Sequence, residues 1–140
     1  MSKTVKTENF YFESNRDEVE KACAEAIYRS LEAVGLRAEG DVKQEITKPK
    51  KHKSWDKKHA KVRGSVDTGT LRNSITHEAR PSQEAVLIGT VTEYASFVEF
   101  GTSKSPAYPF LRPALTNPTN VNRYKNIFES YLKGNGNNED

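Results

Sequence analysis

The chain has 140 residues, of which 34% are hydrophobic and 29% are charged, and its formal net charge is +3. This length fits one domain that buries roughly two thirds of its unfolded surface. No run approaches the ~20 apolar residues of a membrane helix, and no apolar leader begins the chain. The single cysteine, Cys23, excludes an intrachain disulfide and favours a reducing compartment such as the bacterial cytoplasm.

The first predicted element is a strand, because Val5, Phe10 and Phe12 form part of an alternating pattern. The piece E-N-F-Y-F-E-S-N that overlaps it also resembles a degenerate protease-tag site, which is an alternative interpretation. Ser14 or Asn15 then provides a helix N-cap.

A long helix follows, with apolar residues at three- and four-residue steps from Val19 to Ile46. Cys23 lies on this apolar stripe, so we expect it to be buried as a small hydrophobic residue. Gly35 and Gly40 each disfavour helix by up to ~1 kcal/mol relative to Ala, and they predict a kink or break. Pro49 ends the pattern.

The charge is concentrated in one segment. Residues 48–63 hold eight Lys or Arg and one acid, a net +7, whereas the rest of the chain carries −4. Lys and Arg neutralise phosphates without reading sequence, and Trp55 can stack on a base. The segment therefore predicts a surface that faces DNA or a partner, with a solvated flexible loop over 48–66 as the equally supported alternative. The residues concerned are Lys48, Lys50, Lys51, Lys53, Trp55, Lys57, Lys58, Lys61 and Arg63.

The second half of the chain is predicted to form short helices and strands. Asp67 opens a helical turn, and the runs Ile75–Ala79 and Val86–Val91 form a β-hairpin. Residues Glu93–Phe100 predict a helix that Gly101 ends. Pro109 begins another short helix, and apolar spacing predicts a last helix from Asn120 to Lys133.

The expected fold is α+β: a long N-terminal helix packed on a small antiparallel β-sheet, with short helices and a C-terminal helix. We expect residues 1–133 to form a single domain and residues 134–140 to be a disordered tail.

The strongest resemblance to a catalytic motif is Asp67-Thr68-Gly69, since a D-T-G triplet carries the aspartate of aspartic proteases. A polar basic segment precedes it in place of the apolar strand that would desolvate the acid. A helix N-cap is therefore the preferred interpretation. His52, His59 and His77 lack the spacing of a zinc site. The sequence predicts no enzyme activity, no metal and no cofactor.

Three linked motifs carry a resemblance to a known family. They are D-T-G-T-L-R-N-S-I at 67–75, with I-G-T at 88–90; Y-A-S-F-V-E-F-G-T at 94–102; and P-A-Y-P-F-L-R-P-A-L at 106–115. Their order and spacing resemble the HK97 gene-product-ten-like family of phage morphogenesis proteins.

The resemblance implies a structural subunit of a phage or prophage virion. Such a subunit would act in head–tail joining at the neck, or in tail completion, as a homo-oligomeric ring that contacts connector or tail proteins and double-stranded DNA in its lumen. It would assemble in the bacterial host cytoplasm and reside in the virion, not in a membrane. The alternative is a nucleic-acid-binding protein that uses the basic segment without a virion role.

The family motif residues are expected to be structural, near a subunit contact. Gly69 and Gly101 would serve backbone turns, whereas Phe97, Phe110 and Leu111 would pack. Glu99 and Arg112 would form an ion pair, with an exposed Arg112 as the alternative. The full set is Asp67, Gly69, Leu71, Tyr94, Phe97, Glu99, Gly101, Pro109, Phe110, Leu111, Arg112 and Pro113.

Overall fold

A computed structural model describes residues 3–7, 10–48, 65–104 and 106–134. The strands are β1 (Lys3–Thr7), β2 (Phe10–Ser14), β3 (Ile75–Arg80) and β4 (Ala85–Thr90). The helices are α1 (Arg16–Thr47), α2 (Ser65–Ser74), α3 (Ala95–Phe100), α4 (Leu111–Thr116) and α5 (Pro118–Leu132). The predicted α+β class is confirmed, with α1 packed on the β3–β4 hairpin.

The long helix α1 runs unbroken from residue 16 to residue 47. Asn15 occupies the N-cap position, although its side chain makes no capping hydrogen bond. The helix buries residues only from Ser30 onwards, so Val19 is 58% exposed and Cys23 is exposed as well. The prediction that Cys23 is buried is therefore wrong, because none of the described residues covers its part of the apolar stripe.

The hairpin pairs Ile75 with Thr90 and Arg80 with Ala85 in antiparallel register. A short 3₁₀ turn, Pro81–Gln83, joins the strands, and Glu84 completes the turn in the left-handed region at φ 49°. The alternating burial of β3 places Ile75 and His77 towards the helix layer and leaves Thr76 exposed.

Gly35 is a point of close approach and not the predicted kink. It is buried where α1 crosses the hairpin. A Cβ placed there would overlap the His77 ring and lie 3.0 Å from Val86 Cγ1. Gly40 also leaves the helix intact, and a Cβ there would meet nothing within 4 Å. The helix tolerates both glycines because its stability comes mainly from tertiary packing.

The core lies where α1, α2, the hairpin, α3 and α4 meet. Its buried members are Val42, Leu71, Ile75, Ala95, Phe110 and Ala114. On the adjacent side of α1, helix α5 packs alongside it and buries Ile127. Helix α5 begins at Pro118, two residues before the predicted start, because Asn117 Oδ1 accepts a hydrogen bond from Thr119 N–H at 2.9 Å.

Two predictions about α2 need correction. Gly69 lies inside this helix and not in a turn. The helix begins at Ser65, which shortens the predicted 48–66 loop and places Asp67 in the first turn instead of at the N-cap. The Asp67 side chain lies outside the described part of the structure.

None of the described helices combines the length and hydropathy needed to cross a membrane. The described residues also contain no group of three or more His, Cys, Asp or Glu side chains placed to hold a metal ion.

Candidate assembly site

Glu99 joins two of the family-like motifs through its carboxylate. It lies in α3 and is 9% exposed. Its Oε2 accepts hydrogen bonds from the backbone N–H groups of Phe110 at 2.7 Å and Leu111 at 3.0 Å. Its Oε1 accepts from the backbone N–H of Arg112 at 3.1 Å. The side chain of one motif therefore holds the backbone of the next.

These three N–H groups belong to the N-terminus of α4. An α-helix leaves its first four N–H groups without partners inside the helix. In α4 those positions are Phe110, Leu111, Arg112 and Pro113, and proline has no N–H to satisfy. Glu99 therefore satisfies every N-terminal donor of α4, and its negative charge also lies at the positive end of the helix dipole.

The chain between the two motifs is positioned to deliver this contact. Gly101 ends α3 with φ 76°, the left-handed region that favours glycine, so the prediction that it ends the helix is confirmed. Tyr108 N–H donates to the carbonyl of Val98 at 2.6 Å, which ties the returning chain to α3. Phe110 is 2% exposed and fixes the start of α4 in the core.

The motifs place two other side chains differently from the prediction. Arg112 is exposed, and among the described ion pairs it makes none with Glu99, which contacts its backbone N–H instead. This agrees with the alternative of an exposed arginine. Phe97, predicted to pack, is 59% exposed because Ala95 and Glu99 form the buried side of α3.

A cluster of hydroxyl groups joins α2 to the end of β4. Ser74 Oγ lies 2.5 Å from Thr90 Oγ1, and Thr92 Oγ1 donates to Ser74 Oγ at 2.7 Å. Ser74 also donates to the carbonyl of Leu71 at 2.7 Å. Ser74 and Thr90 belong to the family-like motifs, but their spacing in the sequence gives no sign that the two hydroxyl groups meet.

His77 forms the main polar contact between α1 and the hairpin. Its Nδ1 lies 2.6 Å from Glu39 Oε2, and its Nε2 lies 3.2 Å from Glu32 Oε2. Burial alone would lower the pKa of His77, but hydrogen bonds to Glu39 and Glu32 outweigh burial and raise it. Burial would likewise raise the pKa of Glu39, but hydrogen bonds from Lys43 and His77 lower it.

Asp41 holds α5 against α1. It is 7% exposed, and its Oδ2 accepts from the Tyr124 hydroxyl at 2.7 Å. Arg123 and Arg37 approach its Oδ1 at 3.3 and 3.5 Å. Burial and the adjacent Asp41 carboxylate raise the pKa of the Tyr124 hydroxyl. This cluster could not be predicted from the sequence, because Asp41 and the two α5 residues are 82 and 83 positions apart in the chain.

The basic segment is described only at its first residue. Lys48 follows α1, is exposed, and pairs with Glu45 Oε2 at 2.7 Å. The other residues of the predicted DNA- or partner-facing surface lie outside the described residues: Lys50, Lys51, Lys53, Trp55, Lys57, Lys58, Lys61 and Arg63. Their role stays a prediction.

Comparison with known proteins supplies the decisive observation. The model of the HK97-gp10-like phage tail-component family matches residues 12–101, which is more than half of the chain. The chain belongs to the HK97-gp10-like family. No curated protein and no solved structure matches it.

The HK97-gp10-like match covers a different range from the resemblance seen in the sequence. It includes the end of β2, all of α1 and α2, the hairpin and α3, so it contains Glu99. It ends at residue 101, before the backbone groups of α4 that Glu99 binds. The family is one of phage structural components and is not an enzyme family. A structural role in the virion is consistent with this membership.

Proposed function

We propose that this HK97-gp10-like protein is a subunit of a ring at the phage neck or tail end, where it joins head to tail or completes the tail. The observation that carries the proposal is family membership over residues 12–101. Its neighbours would be further copies of itself, connector or tail proteins, and the double-stranded DNA that passes through the ring. Assembly would take place in the host cytoplasm before the subunit enters the virion.

The contacts of Glu99 support a role for the motifs in assembly. The carboxylate fixes α3 relative to α4 through backbone groups, while Phe97 and Phe100 stay 59% and 74% exposed on α3. Exposed aromatic side chains on a rigid element are typical of interaction surfaces. The buried side of the motif thus sets the orientation of an exposed side that a neighbour can bind.

The basic segment supports contact with DNA or with an acidic neighbour. Residues 48–63 carry a net +7, enough to bind a phosphate backbone without sequence preference. We propose one domain over residues 1–133, from which this segment contacts the lumen or the adjacent ring, with 134–140 as a tail. In this proposal the domain catalyses no reaction and serves to position contacts with its partners.

Deletion of the gene from its phage, followed by electron microscopy of the particles, tests this function. We expect heads and tails that fail to join, or tails of abnormal end structure, and rescue when the protein is supplied in trans. Infectious particles in normal number without the protein would refute the proposal.

A charge-reversal variant tests the basic segment separately. Replacing its Lys and Arg residues by Glu should leave the circular dichroism spectrum and the unfolding transition of the purified protein unchanged and abolish rescue. A control with Lys→Arg changes keeps the charge and should rescue. Full rescue by the Glu variant would remove the DNA- or partner-facing role.

The +7 charge also favours one alternative, a nucleic-acid-binding protein without a virion role. This alternative predicts that the purified chain binds DNA with a log–log salt slope that tracks the number of phosphates neutralised. It also predicts normal particles after gene deletion, which is the opposite of the outcome expected for the ring subunit.

A further inference from the structure

Two exposed surfaces of this protein are both partly apolar and carry opposite charge. The first, the α3 face, consists of Glu93, Phe97 and Phe100. The chain already winds helically before α3, since Ala95 N–H donates to the carbonyl of Thr92 at 3.1 Å. Residues at i, i+4 and i+7 therefore lie on one side. All three side chains are exposed, which gives an apolar surface with a carboxylate at one end.

The second surface, the α1–α5 groove, is a depression of about 720 Å³ between those helices. Its apolar lining includes Leu36, which is 67% exposed, and Tyr131. Arg37 and Arg123 also line it, with 49% and 38% of their side chains exposed. Both guanidiniums approach Asp41, and two cations against one carboxylate leave a net positive charge.

We propose that the α3 face of one subunit docks in the α1–α5 groove of the next copy of this chain. The two aromatic rings match the apolar lining, and a guanidinium over an aromatic face is attractive. The Glu93 carboxylate complements the net positive charge of the groove. The contact rests on the ring role proposed above, and it identifies the surfaces that the ring would use.

Charge argues for two different faces in contact and against a symmetric pair. A two-fold contact between two α3 faces would place two Glu93 carboxylates, and no cation of the α3 face, in one interface, and a contact between two grooves would bring four arginines together. Like charges across an interface disfavour association. The α3 face and the groove share no residue, so one subunit can use both at once. Such head-to-tail contacts generate rings when the rotation closes.

Disulfide trapping with the purified full-length chain tests this contact. In a Cys23→Ser background, one chain carries Ser96→Cys beside the α3 face and another carries Gly40→Cys in the groove. Ser96 is exposed, and a Cβ at residue 40 meets nothing within 4 Å, so both changes should be tolerated. Oxidation of the mixture should give a covalent dimer, and a chain with both cysteines should give a ladder of oligomers.

The natural Cys23 provides the collision control. It is exposed on α1, about 25 Å from residue 40 along the helix axis. Docking raises the effective concentration of paired thiols, so the Ser96→Cys and Gly40→Cys mixture should form roughly tenfold more dimer than Ser96→Cys mixed with the Cys23 chain. Equal yields would overturn the proposal. Abundant homodimers of Ser96→Cys alone would overturn it too, because they would indicate a symmetric contact.

A charge change tests the complementarity. Glu93→Lys should lower the trapped yield several-fold, whereas Glu18→Lys, the same change on an exposed residue early in α1, should leave it unaltered. An unaltered yield with Glu93→Lys would contradict the charge pairing.

Failure of this contact and failure of the ring role are distinguishable. Trapping measures self-association alone, whereas gene deletion measures the need for the protein in the particle. If the protein is essential for particles but gives no disulfide-trapped dimer, the virion role is supported and the proposed interface is refuted. If trapping is efficient but particles form normally without the protein, the interface is supported and the virion role is refuted.

Discussion

Glu99 and Asp41 are both carboxylates with less than a tenth of their surface exposed, yet their described partners differ in kind. Glu99 accepts hydrogen bonds from three backbone N–H groups of α4 and its N-cap. Asp41 is surrounded by the side chains of Arg37, Arg123 and Tyr124. Side chains can turn to solvent when a partner is lost, whereas the N–H groups of a packed helix cannot. We therefore expect the fold to depend far more on Glu99 than on Asp41.

The largest expected effect is that of Glu99→Gln. The amide retains one acceptor oxygen but places an NH₂ donor against N–H donors, and the buried Phe110 N–H loses a charged partner. The free energy of unfolding should fall by about 3 kcal/mol, measured by urea denaturation. Glu93→Gln, an exposed change nearby, should alter it by less than about 0.5 kcal/mol. Equal stabilities of the two variants would contradict this account of α4.

Gly35→Ala should have the second-largest effect on stability, because its Cβ would overlap the His77 ring. The His77 imidazole is fixed by Glu39 and Glu32, so it cannot move aside freely. We expect a loss of about 2 kcal/mol in the free energy of unfolding. The matched control is Gly40→Ala, which meets no neighbour and should stabilise α1 by about 0.5 kcal/mol. Opposite signs for the two variants would confirm the close approach.

Asp41→Asn tests the other side of the comparison. Its two arginines are more than a third exposed, so water screens their attraction to the carboxylate. The amide oxygen can still accept from the Tyr124 hydroxyl. We expect a loss of about 1 kcal/mol, smaller than that of Glu99→Gln in the same urea assay. A loss larger than that of Glu99→Gln would reverse the ranking of the two carboxylates.

The N-termini of α5 and α4 are capped by residues at different distances along the chain. Asn117 caps α5 from the adjacent position, whereas Glu99 caps α4 from α3. Asn117→Ala should cost about 1 kcal/mol, the usual value of an N-cap, by thermal or urea unfolding. Asn126→Ala, an exposed position within α5, should be nearly neutral or slightly stabilising. Similar losses at both positions would argue against a capping role for Asn117.

The smallest effect is a pH dependence at His77. Its pKa is raised above 6.5 on folding, so its stabilising contribution is complete below that value and is lost as the pH rises through the folded pKa. The pKa of Glu39 is lowered from 4.5, so its contribution is present above that value and is lost in acid. The stability difference between wild type and His77→Gln should therefore shrink as the pH rises above neutrality. A difference independent of pH would contradict the role of the imidazolium.

Local sequence patterns are enough to predict the α+β class, the long helix α1, the β3–β4 hairpin and the end of α3 at Gly101. These follow from local causes, namely the spacing of apolar residues and the conformational freedom of glycine. The motifs alone also indicated the HK97-gp10-like family, although the family match covers residues 12–101 and not the segment that follows.

How the elements meet follows from contacts in the folded protein and not from local patterns. The tertiary structure placed Glu99 on the backbone of α4 and not on the Arg112 side chain, it made Gly35 a contact with His77 in place of a kink, and it left Cys23 and Phe97 exposed. Periodicity shows that a residue lies on an apolar face, but not whether another element covers that face. Burial and hydrogen-bond partners depend on residues distant in the chain, and a local sequence pattern does not show which distant residues come into contact.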